Sequence, residues 1–455
     1  MSSAQLLDWN EQPLHVLQRW PSDVPLAALL SGDNSSWSRI SVIGVPREWK
    51  VLRAHPGLNA SDVLAWIRSL DRTSATCTGQ QQPPIGAGWF TQFSYELGGV
   101  LEPKARANQA NSSARAGEWT RLDNTWPLAQ AARCDRAFVF DHAKQQWWSI
   151  GGAVDSVPLL NHESTENFEC DPLQEEISDA QYAQAVKRTI DLIHQGDLFQ
   201  ANIARRWHSS LRGCPRAFAH LALRSSAARY GAWLETSSGM LASMSPELFL
   251  ELDAHGLVVS RPIKGTRASD TSSEKSSDEL ARSEKDAAEL HMIVDLMRND
   301  LSRACRPASV SVRQARVMET HGTVVHGVAE IHGQLQIGCD RAALLGHTFA
   351  PGSITGAPKI RAMQVIDELE TFERGPYCGA IGYLADTGAM KLSVAIRTAL
   401  LRESSPNTFA LTYAAGCGIT SDSNPNEEVA ESHAKVQVLQ AALRAAHQRG
   451  KICLA

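Results

Sequence analysis

The chain contains no C-x-x-C pair: its nine cysteines are scattered from Cys77 to Cys453. That spacing argues against a structural zinc site and against a disulfide framework, and most of the cysteines read as small buried hydrophobes. No run of 18 apolar residues occurs, and Met1 to Pro13 lacks a charged stretch followed by an apolar core. The expectation is a soluble, cytoplasmic protein with no membrane partner. Basic excess is missing too, with 44 Lys and Arg against 49 Asp and Glu and a net charge of −5, so nucleic acid is not an expected partner. No repeat of short period appears, and the only low-complexity segment is the Ser-rich Ser269 to Ser277. What is present is the composition of a globular protein, 43% apolar and 20% charged. At 455 residues the chain exceeds one ordinary core, so two lobes or one large two-layer domain are expected.

Residues 1 to 165 hold short strand-like runs such as Ile40 to Gly44 and Ala137 to Phe140, and they read as an N-terminal lobe. Thr73 to Pro84, Pro103 to Gly117 and Asn161 to Glu176 are polar and read as exposed loops or links. Residues 178–450 are more regular. Ser178-Asp179-Ala180-Gln181 has capping-box spacing, and Tyr182, Val186, Ile190 and Ile193 recur on one helical face until Gly196. Strands are predicted at Leu198 to Ile203, Met240 to Leu252 and Leu257 to Ile263. Helices are predicted at Asp278 to Cys305, from Pro358, and from Asn426 to Gln448. This order fits an α+β fold of antiparallel sheets covered by helices better than strict βαβ alternation.

Within this frame, Lys264 in Ser260-Arg261-Pro262-Ile263-Lys264-Gly265-Thr266-Arg267 carries the most information. Pro262 and Gly265 bend a strand around it, and an amine withdrawn from water gives up its proton more readily and becomes a nucleophile or base. The alternative is a surface lysine lying along a turn. Asp286 with Glu289, and Glu428 with Glu431, form two i, i+3 carboxylate pairs on predicted helices. Two such faces opposed would make an all-oxygen site suited to Mg²⁺; a solvated face is the other reading. Phe349 to Lys359 is a Gly-, Ser- and Thr-containing turn opening a helix at Pro358, without nucleotide P-loop spacing. Its amides suit a carboxylate, or it is an ordinary capped loop. Ala415 to Thr420 is a Gly-interrupted strand end, open to close approach by a ligand or else a bulge. His326 sits mid-strand, as a core residue or a catalyst. Arg397 ends an apolar strand, to clamp a carboxylate or merely to mark the strand's exposed end.

Seven segments in order resemble the chorismate-utilising enzymes. They are Gly196-Asp197-Leu198-Phe199-Gln200-Ala201-Asn202, Ser245-Pro246-Glu247, Arg261 to Thr266, Asp286 to Asp300, Gly352 to Lys359, Gly379 to Tyr383 and Asn424 to Lys435. The resemblance is strong over residues 178–445 and looser in the N-terminal third, where Gly88-Trp89-Phe90 through Tyr95-Glu96-Leu97-Gly98 carries it. It implies a large two-layer fold and chorismate as substrate. Glu289 and Glu431 look like the Mg²⁺ ligands, with Asp286 and Glu428 supporting. Tyr383, Arg397 and the amides near Gly416 and Gly418 would hold a carboxylate, and Thr355, Gly356 and Lys435 are further substrate contacts. Gln200 stands where water-activating relatives carry lysine, and His326 resembles the acid near the C4 hydroxyl. Ser353-Ile354-Thr355-Gly356 and Lys264 look like the branch that aminates chorismate at C4, in the p-aminobenzoate route to folate. Relatives that form anthranilate carry a small residue in place of Lys264. Glu247 is then a partner for proton transfer. Ala268-Ser269 departs from the family's pattern at the loop after Arg267. No segment reads like a glutaminase, so ammonia from a separate glutaminase subunit is implied. The competing readings are an anthranilate-forming enzyme and a non-catalytic chorismate-binding regulator.

Overall fold

In the computed structural model, apolar runs rich in β-branched and aromatic residues become antiparallel strands collected into two sheets. The structure describes residues 4–31, 38–71, 85–106, 126–153, 167–226, 228–268, 273–321 and 324–452. Thr73 to Pro84, residues 107–117, 161–166 and 269–272, and Cys77 and Cys453 lie outside them. The larger sheet has 13 strands. Its path runs from Ala4–Leu7 through Ile40–Gly44, Ala27–Leu30, Tyr230–Thr236, Gly239–Ser245, Thr398–Ser405 and Thr408–Ile419 to Gln200–Gly213. The second has ten strands, among them Ile263–Ala268, Val324–Gln334, Leu257–Arg261, Leu248–Leu252, Met390–Val394, Ala380–Ala385 and Gly88–Phe93. Strands from before residue 165 and after residue 178 share both sheets.

One apolar cluster fills the space between the sheets: Val139, Trp148 and Leu241 of the larger meet Phe90, Ile381 and Tyr383 of the smaller. Helices cover the outer faces. Phe218, Val436 and Leu439 close over Phe138, Trp147 and Trp233, while Leu290, Ile293 and Val365 close over Phe93 and Phe249. This is the expected α+β arrangement of helix-covered antiparallel sheets. Each of these large side chains stabilises the fold by about 1.5–3 kcal/mol through burial. No helix among the described residues is long and apolar enough to cross a membrane.

Local readings hold where the chemistry is local. Ser178 caps Asp179–His194 with both halves of the capping box, and Gly196 stops it at φ +82. Tyr182 and Val186 are buried, but Thr189 and Leu192 rather than Ile190 and Ile193 complete the buried face. Three continuous elements expected from sequence are in fact broken. Met240 to Leu252 divides into Gly239–Ser245 and Leu248–Leu252, which belong to different sheets, because Pro246 cannot donate to a ladder. Leu257 to Ile263 divides at Pro262 for the same reason. Asp278 to Cys305 becomes Ser273–Arg282 and Glu284–Ser302, since the Ser283 hydroxyl caps a new helix at the Asp286 amide. Part of the Ser-rich segment is therefore helical. Pro358 is the capping residue before Lys359–Leu369, not its first residue.

Candidate active site

Two of the links by which the chain passes between the sheets carry a predicted site residue. Ser245-Pro246-Glu247 leads from the larger sheet to the smaller, and Ala395-Ile396-Arg397 leads back. Arg397 thus lies in a link with φ +51 and not at the end of a continuous strand. Lys264 comes from Ile263–Ala268, where a register shift at Gly265 (φ +77) turns the strand. A Cβ on Gly265 would stand 2.6 Å from Leu280 and 3.0 Å from Asp286, so only glycine fits this bend against the helices. The Lys264 side chain is 13% exposed, and its Nζ lies 3.8 Å from Glu289 Oε2. It is not a freely solvated surface lysine.

From the larger sheet, Gln200 and Gly418 meet this amine. Thr408–Ile419 pairs with Gln200–Gly213 in unbroken register from Ala201↔Ile419 to Arg212↔Thr408, so Gly416 and Gly418 mark no bulge. A Cβ at Gly418 would fall 2.2 Å from Gln200 Nε2 and 2.6 Å from Lys264 Nζ. The glycine makes room for both groups at once. Gln200 is buried, and its Oε1 has no hydrogen-bond partner among the described residues.

The carboxylates gather around the lysine. Burial pushes Glu289 above the ordinary carboxyl value, against Lys264 and Lys285, with Asp286 and Glu431 adding to the rise. Burial also raises Glu428, although Ser423 donates to its Oε1 at 2.7 Å. Glu431, more exposed, is held below its ordinary value chiefly by Lys435, at 2.8 Å. Burial disfavours the Lys435 charge, but Cys417 and Glu431 outweigh it and leave the ammonium above its usual value. Lys435 Nζ also donates to the Gly416 carbonyl at 2.7 Å. Ligand atoms of Glu428, Glu431 and Cys417 lie within 4.8 Å of one another. Burial pushes the Cys417 thiol up to about 12, and the thiol donates to the Glu428 carbonyl, so the donors left for a cation are oxygens. Asp286 faces the group less directly, since Arg267 holds its Oδ2 at 2.9 Å.

Glu247 is 4% exposed, and burial pushes its carboxyl up to about 7. The Ser353 hydroxyl, Lys264, the Ile263 amide and Arg397 each pull it back. Burial lowers Arg397, with Tyr413 and Glu247 opposing. Thr355 and Gly356 lie in the turn beside Gln200: Gly356 pairs with Ala201, the Thr355 carbonyl accepts from the Asn202 amide at 2.8 Å, and the Thr355 hydroxyl turns back to Pro351 at 3.0 Å. His326 is buried on the strand next to Lys264, its Nδ1 2.9 Å from the Thr266 hydroxyl. Tyr383 is placed elsewhere. Its hydroxyl donates to the Gly86 carbonyl at 2.8 Å and its ring packs on Phe90, within the cluster between the sheets. A carboxylate contact from Tyr383 has no support in this position.

An amine set against three acids, one of them near neutrality, can attack a carbon and pass protons, while the paired glutamates can hold a hard cation. Sequence reasoning missed Ser353 as the partner of Glu247 and Lys285 as a counter-charge to Glu289. The i, i+4 spacing of Lys285 and Glu289 was a visible signal; the Ser353 contact joins distant segments and had none.

The family model described as chorismate binding enzyme matches residues 27–441. Aminodeoxychorismate synthase component 1 of Salmonella typhimurium is 39% identical over 267 residues, 58% of this chain and 57% of that protein. The chain thus spans less than two thirds of the length of that relative. The protein of the same name from Escherichia coli is 34% identical over 387 residues, 81% of this chain and 79% of its own. The crystal structure of anthranilate synthase component I from Streptococcus pneumoniae superposes with a TM-score of 0.73 at 25% identity, covering 88% of this chain and 92% of that one.

Proposed function

The chain belongs to the chorismate binding enzymes, and from that premise we propose that it aminates chorismate at C4 to give 4-amino-4-deoxychorismate. The observation that carries this reading is Lys264, held against Gln200 and Gly418 with Glu247, Glu289 and Glu431 around it. The curated relatives at 39% and 34% identity bear the name of that synthase. Residues 178–450 form the catalytic region and residues 1–165 an N-terminal lobe, working in the cytoplasm.

The Lys264 amine, its proton taken by Glu247, attacks C2 of the ring; the double bonds shift and the C4 hydroxyl leaves as water. Ammonia then adds at C4, the double bonds return, and the C2–nitrogen bond breaks to release Lys264. Glu247, near neutrality and facing Lys264, accepts and returns the amine proton. His326 supplies a proton toward the departing hydroxyl. Arg397 and the amides near Gly416 and Gly418 hold one carboxylate, with Thr355, Gly356 and Lys435 shaping the pocket. The carboxylate oxygens gathered there fit Mg²⁺: Glu289 and Glu431 would ligate it, with Asp286 and Glu428 behind them. Bound there, the cation would hold the ring carboxylate and ease loss of the hydroxyl. The name component 1 of the relatives supports a second subunit, and we assign it the supply of ammonia from glutamine.

Incubation with chorismate, Mg²⁺ and ammonium, with the product identified by mass and ultraviolet spectrum, tests the reading. The expected product is 4-amino-4-deoxychorismate. Anthranilate would move the chain to the branch of the Streptococcus structure, and absence of turnover with intact chorismate binding would leave a regulator. Glutamine alone should give no turnover until the glutaminase subunit is added.

A further inference from the structure

Glu370 and Arg374, four residues apart in the link that follows the helix Lys359–Leu369, form an ion pair with side chains 2% and 1% exposed, and neither is needed for any step above. Arg374 spends its fork of donors on four oxygens. Nε reaches Glu370 Oε2 at 2.9 Å and Nη2 reaches Glu370 Oε1 at 2.6 Å. Nη1 reaches the Ile354 carbonyl at 3.0 Å, and Nη2 also reaches the Asn202 carbonyl at 2.6 Å. Glu370 Oε1 in turn accepts from the Ala204 amide at 2.8 Å. The pair therefore bolts the turn Gly352–Ala357 to the strand that begins at Gln200. A second pair braces the other end of the turn: Lys359 Nζ bonds Asp300 Oδ2 at 2.5 Å and the Thr348 carbonyl at 2.9 Å.

A buried ion pair contributes little net stability compared with apolar side chains of the same volume, so its presence calls for a role in geometry. Arginine suits that role, because its planar fork fixes several acceptors relative to one another and lysine cannot. The backbone ladder that joins the turn to this strand is short, two residues at Gly356–Ala357 with the Thr355 carbonyl accepting from the Asn202 amide beside it. Ser353, in that turn, is the residue whose hydroxyl meets Glu247.

We propose that Arg374 and Glu370 are positioning residues for the reaction: they fix the turn Gly352–Ala357 and, through Ser353, set the Glu247 carboxyl against Lys264. The proposal rests on the reading above only in giving Glu247 a part in proton transfer. Besides Ser353, the groups facing Glu247 are Lys264, Arg397, Cys378 and the Ile263 amide.

The test titrates Glu247 directly in the whole chain by carbon-13 NMR, with Glu247→Gln to assign the signal. Ser353→Ala removes a donor to the carboxylate and should move the titration upward by about half a pH unit or more. Arg374→Lys keeps the charge but loses the fork, and should move it the same way. The double variant should move no further than either single one, because both act on one contact. Glu370→Gln, which keeps an acceptor for the Ala204 amide, is the milder variant and should behave alike where Arg374→Lys fails to fold. An unmoved titration in Arg374→Lys or Glu370→Gln, with only the melting temperature lowered, overturns the proposal, as does additivity in the double variant. The pH–rate profile at constant free ammonia is read alongside. A displaced titration with an undisplaced profile keeps the positioning role and removes Glu247 from the chemistry.

Discussion

Two groups of acids sit on opposite sides of one helix, Pro425–Ile452, and they look alike until their counter-charges are counted. Glu175, Asp179 and His433 bring ligand atoms within 4.8 Å of one another, as do Cys417, Glu428 and Glu431. In the first group Asp179 takes Arg205 at 2.6 Å and His433 at 2.9 Å, and its carboxyl falls below the ordinary value, chiefly through Arg205. Arg205 is itself buried between the rings of Tyr182 and Trp207. That group is already neutralised by its own protein. In the second, Lys435 holds Glu431 below its ordinary value much as Arg205 holds Asp179, but burial keeps Glu428 and the neighbouring Glu289 above theirs despite the lysines nearby. Proximity of ligand atoms does not separate a brace from a reaction site; the presence of buried acids that their partners leave raised does.

The sharpest way to break this contrast is at the amine. Lys264→Ala should lower C4 amination by about a thousandfold or more, because it removes the nucleophile without removing a core side chain. Circular dichroism should show an unchanged fold, and retained synthesis of 4-amino-4-deoxychorismate would refute the covalent role. Next come Glu289→Gln and Glu431→Gln. A neutral amide is a poor ligand for a hard cation, so titration of activity against Mg²⁺ should shift to higher concentration with only partial rescue. Glu428→Gln, one step back, should weaken Mg²⁺ dependence by roughly 10–100-fold.

The smallest effect belongs to the other face. Asp179→Asn should leave turnover within about twofold and lower stability in urea by only ~0.2–1 kcal/mol, since Asp179 is 55% exposed and the buried Arg205 keeps Glu175 at 3.7 Å. Its carboxyl titrates lower folded than unfolded, so the contribution exists at neutral pH and disappears as acid protonates the folded carboxyl, below pH 4. A large loss of Mg²⁺ dependence in Asp179→Asn would erase the distinction between the two groups.

Much of this was readable along the chain because capping, turns and glycine-mediated approach are short-range. The Ser178 cap, the bend at Lys264 and the open face at Gly418 follow from a few adjacent residues. What could not be read is which sheet a strand joins. Met240 to Leu252 is one apolar run in sequence, and nothing in it says that Pro246 is where the chain changes sheets. Arg397 was misplaced for the same reason, and Tyr383 was placed by resemblance where its own hydrogen bond to Gly86 puts it elsewhere. The partner of Ser353, and the Ile354 and Asn202 carbonyls that Arg374 meets, are distant in sequence and leave no periodic trace.

The sharing of strands has a consequence for how the molecule is made. Ala27–Leu30 pairs with Tyr230–Thr236, and Gly88–Phe93 pairs with Ala380–Ala385. A chain emerging from the ribosome therefore has no way to complete its first third and move on. Gly88–Phe93 must wait, one flank unzipped, until residue 385 has been synthesised, and such waiting edges recruit other chains. Nascent or truncated copies ending before residue 380 should be insoluble or chaperone-bound, and a fragment of residues 1–165 should be rescued by co-expression with the remainder rather than by dilution alone.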